Sequence, residues 1–516
     1  MCSFTDDRTF LYEKSCKDDT AYNVVMGYPA CESFALSSLG YMWLSKLLDE
    51  TPEYNLKQVF TDSKIYPDKR EIEAISFSLS YEMDFMGVFE VLEKLGISCF
   101  SKDREDVFVF AGGPVITSNP MPFAHIFDFV LIGDGEQLLK TVLSTLKDNR
   151  NAPRQAVLNL LAQIEGVYVP ALNNMTHKVT EPLSEAVHTP IISEKSYFSN
   201  TFIIEVERGC YNRCGFCLAS YLNLPVRYVE YEEIIAKIEF ALQYTKDIAL
   251  LGAQVSAHPR FMEICDYLIN KIEKDDSINV NFSSLRVDAV NAQVIKLLRV
   301  SGQKTFTVAI EAATERLRKV INKNLDEQKL FEALQYAYDG GMTGVKVYCM
   351  LGLPTETDDD INAFADLAKR LKARFKGFDI TFSFSTFVPK PHTPFQWLPR
   401  EDGSTLEKKQ KLLTKELAKV GVKTKFSSAK WDYYQTLISR GDEKLGEYLY
   451  RVYKQGGKLG AYKSVAKELG LDTDFYVTRS YSLEEALPWD NIIISTPGKQ
   501  VLKNEYNRLM KKANLE

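Results

Sequence analysis

Three cysteines within eight positions, Cys210, Cys214 and Cys217 in "RGCYNRCGFC", are the residues of this chain best suited to chemistry. Thiolates at C-x3-C-x2-C spacing serve metal binding or redox exchange, and the number of ligands separates the two. A structural zinc site closes on four ligands, commonly from two paired motifs. The sequence has no second CxxC and only 5 histidines, none of them paired. A disulfide-exchange pair would use Cys214 and Cys217 and leave Cys210 without a role. An iron-sulfur cluster held by three thiolates leaves one iron open to a substrate or cofactor, which accounts for the missing fourth cysteine. Three packed thiols brought together by chance remain as the bland reading, and their place directly after a strand weighs against it.

The elements that must position these cysteines read as strands alternating with helices, the pattern of parallel sheets. In the first part, residues 23–30, 74–80, 107–113 and 127–136 read as buried strands that end in glycine or polar turns, with amphipathic helical stretches between them. That pattern predicts an open, doubly wound domain whose ligands sit at the C-terminal ends of its strands. From residue 199 six further strand candidates follow, from "NTFIIEVERG" to "DITFSFSTFVPK", each separated by a plausible helix, and they predict a partial (β/α)6 barrel with its chemistry at the strand C-termini. The expected fold is thus α/β, with a Rossmann-like domain over 1–150, a polar linker over 151–198, a partial TIM-type barrel over 199–400 and a mainly helical extension over 401–516.

A chain of 516 residues exceeds one ordinary core. Its 69 acidic and 63 basic residues give a net charge of -6, so a nucleic-acid partner held mainly by charge is not implied. The N-terminal stretch is broken by charge throughout and no run approaches a membrane span, which leads to the expectation of a cytoplasmic protein without membrane contact. The 9 cysteines form no disulfide framework, and the six outside the cluster read as free thiols.

"RGCYNRCGFCLASYLNLPVR", directly after the first strand of a βα array, resembles the radical S-adenosylmethionine (SAM) superfamily. The resemblance implies that Cys210, Cys214 and Cys217 bind a 4Fe-4S cluster whose fourth iron is chelated by SAM. It further implies reductive cleavage of SAM to methionine and a 5'-deoxyadenosyl radical, and a low-potential electron donor such as flavodoxin or ferredoxin. Phe216 is the usual aromatic of this loop. Gly252 in "LLGAQ" stands where the family often has a Gly-Gly-Glu turn that receives the methionine amino group, and Ala253 and Gln254 depart from it. Ser284 and Arg286 at the third strand end suit ribose and carboxylate recognition. Glu311 at the fourth matches a ribose-binding polar position, and Gly352 and Pro354 form a turn where backbone can approach the adenine. Against these stand structural readings: Arg286 and Glu311 paired with one another, and Gly352 as a turn glycine only.

The front domain resembles the cobalamin-binding module of one large, largely uncharacterised branch of the superfamily. The residues concerned are Gly112, Gly113 and Pro114, Asn119 and Pro120, and the Gly133–Glu136 loop with Gly133, Gly135 and Glu136. No Asp-x-His-x-x-Gly stretch is present to ligate cobalt, and His125 reads as a packed or surface histidine. The domain therefore either binds cobalamin without a protein ligand or has become a scaffold. Lys390, His392 and Gln396 after the sixth strand either face the barrel mouth or satisfy their own loop. The functions implied are a radical SAM enzyme, with methyl transfer from methylcobalamin to an unactivated carbon as one version, a methylthiotransferase acting on RNA or protein, or a non-catalytic iron-sulfur sensor.

Overall fold

The computed structural model describes residues 7–282, 285–494 and 498–513. Its front sheet contains β1 (Tyr22–Gly27), β2 (Tyr54–Val59), β3 (Ala74–Ser78), β4 (Phe108–Gly112), β5 (Phe129–Leu131) and β6 (Val167–Tyr168), in the order β2-β1-β3-β4-β5-β6. The first five are parallel and β6 is antiparallel. Parallel strands must be covered on both faces, and the alternation in β1 shows how. Val24 and Met26 pack with the helices Leu39–Asp49 and Glu136–Asp148, while Val25 packs on the other face with Phe85–Lys94. The strand order reverses between β1 and β3, which opens a crevice at their C-terminal ends. The front sheet continues past residue 150, because β6 and the helix Arg154–Leu161 complete it.

The second sheet begins with β7 (Phe202–Glu205), followed by a short arm in which β8 (Glu207–Arg208) pairs antiparallel with β9 (Arg227–Tyr228). It continues with β10 (Asp247–Leu251), β11 (Asn279–Phe282), β12 (Thr305–Glu311), β13 (Gly344–Leu351), β14 (Asp379–Thr386) and β15 (Lys423–Phe426). The runs β7-β10-β11 and β12-β13-β14-β15 are each parallel, and a parallel bridge between Leu285 and Val308 joins them. The six expected strands are all present. The seventh, β15, comes from beyond residue 400 and alternates exposed and half-buried residues, so its sequence carries no buried-strand signature.

The remaining tail divides between the two sheets. Tyr448, Leu449 and Val452 of the helix Leu445–Lys454, and Tyr462 and Val465 of Leu459–Leu469, complete the core on the front sheet. Leu509 of the helix Lys499–Lys512 packs instead with Phe216 and Phe395 beside the cysteine loop. Among the described residues no helix is long and apolar enough to cross a membrane.

Between the two sheets, Arg208 of β8 binds Asp134 at 2.9 Å, Glu136 at 2.9 Å and Glu205 at 2.7 Å. Arg227 of β9 shares Asp134. Burial works against the charged form of Asp134, but Arg208 and Arg227 outweigh it and hold the carboxyl below its usual range. Arg208→Met leaves three carboxylates facing one another with only Arg227 between them. The expected cost is about 3–5 kcal/mol, read as a lower midpoint in thermal unfolding and partly recovered by adding Glu205→Gln; an unchanged midpoint would mean that the network does not hold the two units together.

Candidate active site

The cysteine loop leaves β8 through Gly209, whose φ of +103° and distance of 2.6 Å from a would-be Cβ to the Asn223 carbonyl oxygen admit only glycine. Cys210 and Cys214 are buried and Cys217 is half-buried, all three as free thiols. The backbone that carries them is fixed at several points. Asn322 Nδ2 donates to the carbonyls of Asn212 and Arg213, both at 3.0 Å. Gly215 donates its N–H to Ile321 at 2.9 Å and accepts from Phe395 at 3.2 Å. A Cβ on Gly215 would meet Phe395 at 2.6 Å and Leu509 at 2.9 Å, so the tail helix closes over the loop. From that helix, Arg508 Nη2 reaches Asn322 Oδ1 at 3.1 Å.

The sulfurs sit among polar and cationic groups. Asn212 Nδ2 donates to Cys210 Sγ at 3.1 Å and also to Gln254 Oε1, while Cys214 Sγ points to the Asn322 carbonyl at 3.8 Å. Burial pushes the Cys214 thiol up to about 12, with Lys323 acting in the opposite direction. The metal-free thiol is therefore neutral, whereas a coordinating metal deprotonates it. Among the described residues no three His, Cys, Asp or Glu side chains converge on a single ion. An iron-sulfur cubane makes no such demand, since each thiolate takes a different iron, and an all-cysteine donor set fits it.

The other expected contacts distribute as follows. Arg286 donates to Asp288 at 2.9 and 2.7 Å, and Glu311 accepts from half-buried Lys323 at 3.1 Å, so each has its own partner and the pair between them is not formed. Glu311 lies at φ +63°, beside a register shift in β12. Ser284 lies outside the described residues. Phe216 packs its ring with Leu317, Phe395 and Leu509. Gly352, at φ +72°, donates to Glu356 at 3.0 Å and is covered by Glu401 and Leu406, with half-buried Pro354 beside it. Lys390 binds Glu82 of the front unit, and Gln396 accepts from the His392 N–H at 2.9 Å and from Trp489 Nε1 of the tail at 2.7 Å, so the loop satisfies itself only in part, and His392 Nε2 is buried without a partner.

Gly112, Gly113, Gly133, Gly135 and Glu136 all line one cleft of about 350 Å³ at the C-terminal ends of the front strands. Its opposite wall belongs to the second sheet, with Glu205, Arg208 and Leu251. Asn119 is elsewhere: its amide donates to the carbonyls of Ser439 and Gly441 at 3.1 and 2.9 Å. Gly133 is required by the chain itself, since a Cβ there would lie 2.1 Å from the Val179 oxygen. No histidine lines the cleft, and His125 is exposed in a turn.

The profile described as "Radical SAM superfamily" matches residues 204–368, and that of "Radical SAM proteins, N-terminal" matches residues 49–170. The chain is a radical SAM protein. "Uncharacterized protein MJ0966" of Methanocaldococcus jannaschii is 29% identical over 92% of this chain and 99% of that protein. "Uncharacterized methyltransferase PH0819" of Pyrococcus horikoshii is 25% identical, and the match spans 54% of this chain and 61% of that protein. A "tRNA-2-methylthio-N(6)-dimethylallyladenosine synthase" of Pelotomaculum thermopropionicum is 20% identical over 40% of this chain and 47% of its own. Among solved structures, the cobalamin-dependent SAM radical enzyme OxsB, with aqua-cobalamin and SAM bound, superposes with a TM-score of 0.52 at 14% identity over 96% of this chain and 80% of that one. The radical SAM methyltransferase TsrM from Kitasatospora setae, with cobalamin and a [4Fe-4S] cluster bound, gives 0.51 at 12% over 71% and 75%. These two likenesses are of fold. This radical SAM enzyme therefore shares its architecture with cobalamin-dependent members of the superfamily.

One group in the site carries no motif signal in the sequence. Glu207, the residue before Arg208, is 1% exposed, accepts from the Gln254 N–H through Oε1 and leaves Oε2 without a partner. Its Cγ would meet a Cβ on Gly252 at 2.4 Å, which explains that glycine. Burial raises its carboxyl to about 7, and Glu205 adds to the rise. A carboxyl whose folded pKa is raised contributes stability that is complete below about 4.5, its unfolded value, and lost as pH climbs through about 7. Cluster-free protein is expected to lose up to about 3 kcal/mol across that window. Glu207→Gln should flatten the loss, measured as thermal midpoint against pH; identical profiles for parent and variant would show that Glu207 is not held neutral.

Proposed function

We propose that this radical SAM enzyme holds a 4Fe-4S cluster on Cys210, Cys214 and Cys217, binds SAM beside it, and works with cobalamin in the front cleft to methylate an unactivated carbon. The observation that carries the reading is the shared cleft: the strand ends of the front sheet form one wall, and the strand that leads into the cysteines forms the other. When bound, the cluster supplies one low-potential electron over a short path to SAM, which splits into methionine and a 5'-deoxyadenosyl radical.

The chain's own residues then have these roles. Asn212, Asn322 and Gln254 hold the loop and offer its sulfurs hydrogen-bonding partners, and Lys323 and Arg286 bring positive charge near the thiolates. The superfamily's Gly-Gly-Glu turn ends in glutamine here, at Gln254. Glu207 is the carboxylate nearest that turn, and its unpartnered Oε2 is the acceptor we assign to the amino group of SAM. In the cleft, Gly112 and Gly135 allow a planar ring to approach the backbone, whereas a Cβ on Gly113 would lie 2.6 Å from the Leu79 oxygen, so that glycine serves the fold. A corrinoid is bulkier than the cleft's free volume. The cleft as it stands would take only part of such a ring, and no histidine of its lining would hold the metal.

The methylthiotransferase reading rests on distant relatives. It would call for a second set of cluster cysteines in the front unit, and among the described residues no such group forms. The test is anaerobic reconstitution with iron and sulfide after growth with cobalamin, followed by metal analysis and by product analysis with SAM and dithionite. Iron near four per chain, 5'-deoxyadenosine and retained cobalt are the expected results. Cys210→Ala, Cys214→Ala and Cys217→Ala should each abolish the nucleoside while leaving the fold intact by circular dichroism. Nucleoside formed at the parental rate by any of the three variants would overturn the assignment; iron and nucleoside without cobalt would remove the methyl-transfer part alone.

A further inference from the structure

A second cleft, of about 700 Å³, lies in the tail and shares no lining residue with the one that faces the cysteine strand. Its volume is within the range of small-molecule sites. Arg400 forms part of its wall and is 1% exposed. The bonds of this guanidinium go to carbonyl oxygens only, Ala429 at 2.6 Å and Glu401 at 3.1 Å, and its Nε has no partner. Asp432, in the first turn of the helix Ala429–Arg440, acts on this charge most strongly among the carboxylates, with Asp402 and Glu401 weaker, yet none of them hydrogen-bonds the guanidinium and its Nε stays open to a further acceptor.

Two helices start at the same cleft. Ala429–Arg440 presents Ala429 and Lys430, Leu459–Leu469 presents Leu459 and Gly460, and neither has a side-chain cap on its first turn. Their free N–H groups and positive dipole ends favour negative charge. Lys430 and Lys463 add two exposed cations at the rim. Glu407 is the one acidic residue of the wall, 3.7 Å from Lys430. Opposite the cations, Tyr433, Tyr434 and Tyr462 form an aromatic wall, with the last two rings 4.2 Å apart.

We propose that this cleft binds a phosphate-bearing small molecule, its phosphate held between Arg400 and the two helix N-termini and its organic part against the tyrosines. Arginine and backbone N–H groups together suit a phosphate dianion, which accepts from several donors at once. The site is independent of the cluster and of the front cleft. Its helix Ala429–Arg440 nevertheless reaches the barrel, through Asp432, which accepts from Thr386 Oγ1 at the end of β14 at 2.7 Å.

The test is calorimetric titration of the full reconstituted chain with inorganic phosphate, with phenyl phosphate and with phenol, at constant ionic strength. Saturable binding of both phosphates, tighter for the aromatic ester, and none for phenol is expected. K430E/K463E, which alters only exposed side chains, should weaken phenyl phosphate about tenfold or more with an unchanged thermal midpoint. R400K, which keeps the charge and loses the guanidinium fork, should weaken it as well. Absence of saturable binding by either phosphate overturns the proposal, and so does binding that K430E/K463E leaves unaltered, since the anion would then sit elsewhere.

Discussion

The constraint on which the rest depends is the buried ion network around Arg208. A guanidinium in β8 answers carboxylates from the end of β7 and from the front unit's Gly133–Glu136 loop. Cys210 follows two residues later, so the same short strand fixes the front cleft and the cysteine loop relative to each other. Ion pairs of this kind add little net stability over apolar packing, because desolvation opposes them. They impose register instead: a displaced front loop would leave Arg208 buried among unmatched charges. Such specificity suits the proposed meeting of two ligands across one cleft.

The cysteine loop illustrates a second constraint. A loop with three thiols and no regular hydrogen bonding of its own needs outside partners for its backbone. They come from distant parts of the chain: Asn322 after the fourth barrel strand, Phe395 after the sixth, and Arg508 and Leu509 from the tail helix. The tail is therefore part of the site's support. With both sides of the loop covered, the sulfurs can hold their positions when the metal-free thiols are neutral and when metal-bound thiolates replace them.

How much was legible in the sequence follows from what each element has to do. Buried parallel strands such as "VFVF" and "GVKVYCML" declare themselves, because both faces must be apolar. The cysteine triplet declares itself because three thiolates at that spacing have few other uses. Edge strands do not: "YNLKQV" in the front sheet and "KTKF" in the barrel are only partly buried and carry no apolar run. The family resemblance groups Asn119 with the strand ends of the front domain, yet its amide bonds the tail at Ser439 and Gly441, a partner some 320 residues away that no local pattern announces. Glu207, Asn322 and Lys323 carry no sequence signal for the same reason, since burial and pairing across the chain, not spacing, give them their properties.

The substitution of the superfamily's usual glutamate by Gln254 and the burial of Glu207 belong together physically. A carboxylate at 254 would face the Cys210 sulfur at the 3.6 Å that now separates it from the neutral amide, and beside a thiolate that contact would be repulsive. Glutamine removes the charge while keeping the contact with Asn212. The carboxyl at 207 sits against Gly252, where burial raises it to about 7. A cation brought to its free oxygen would favour the ionised form and offset part of its desolvation cost.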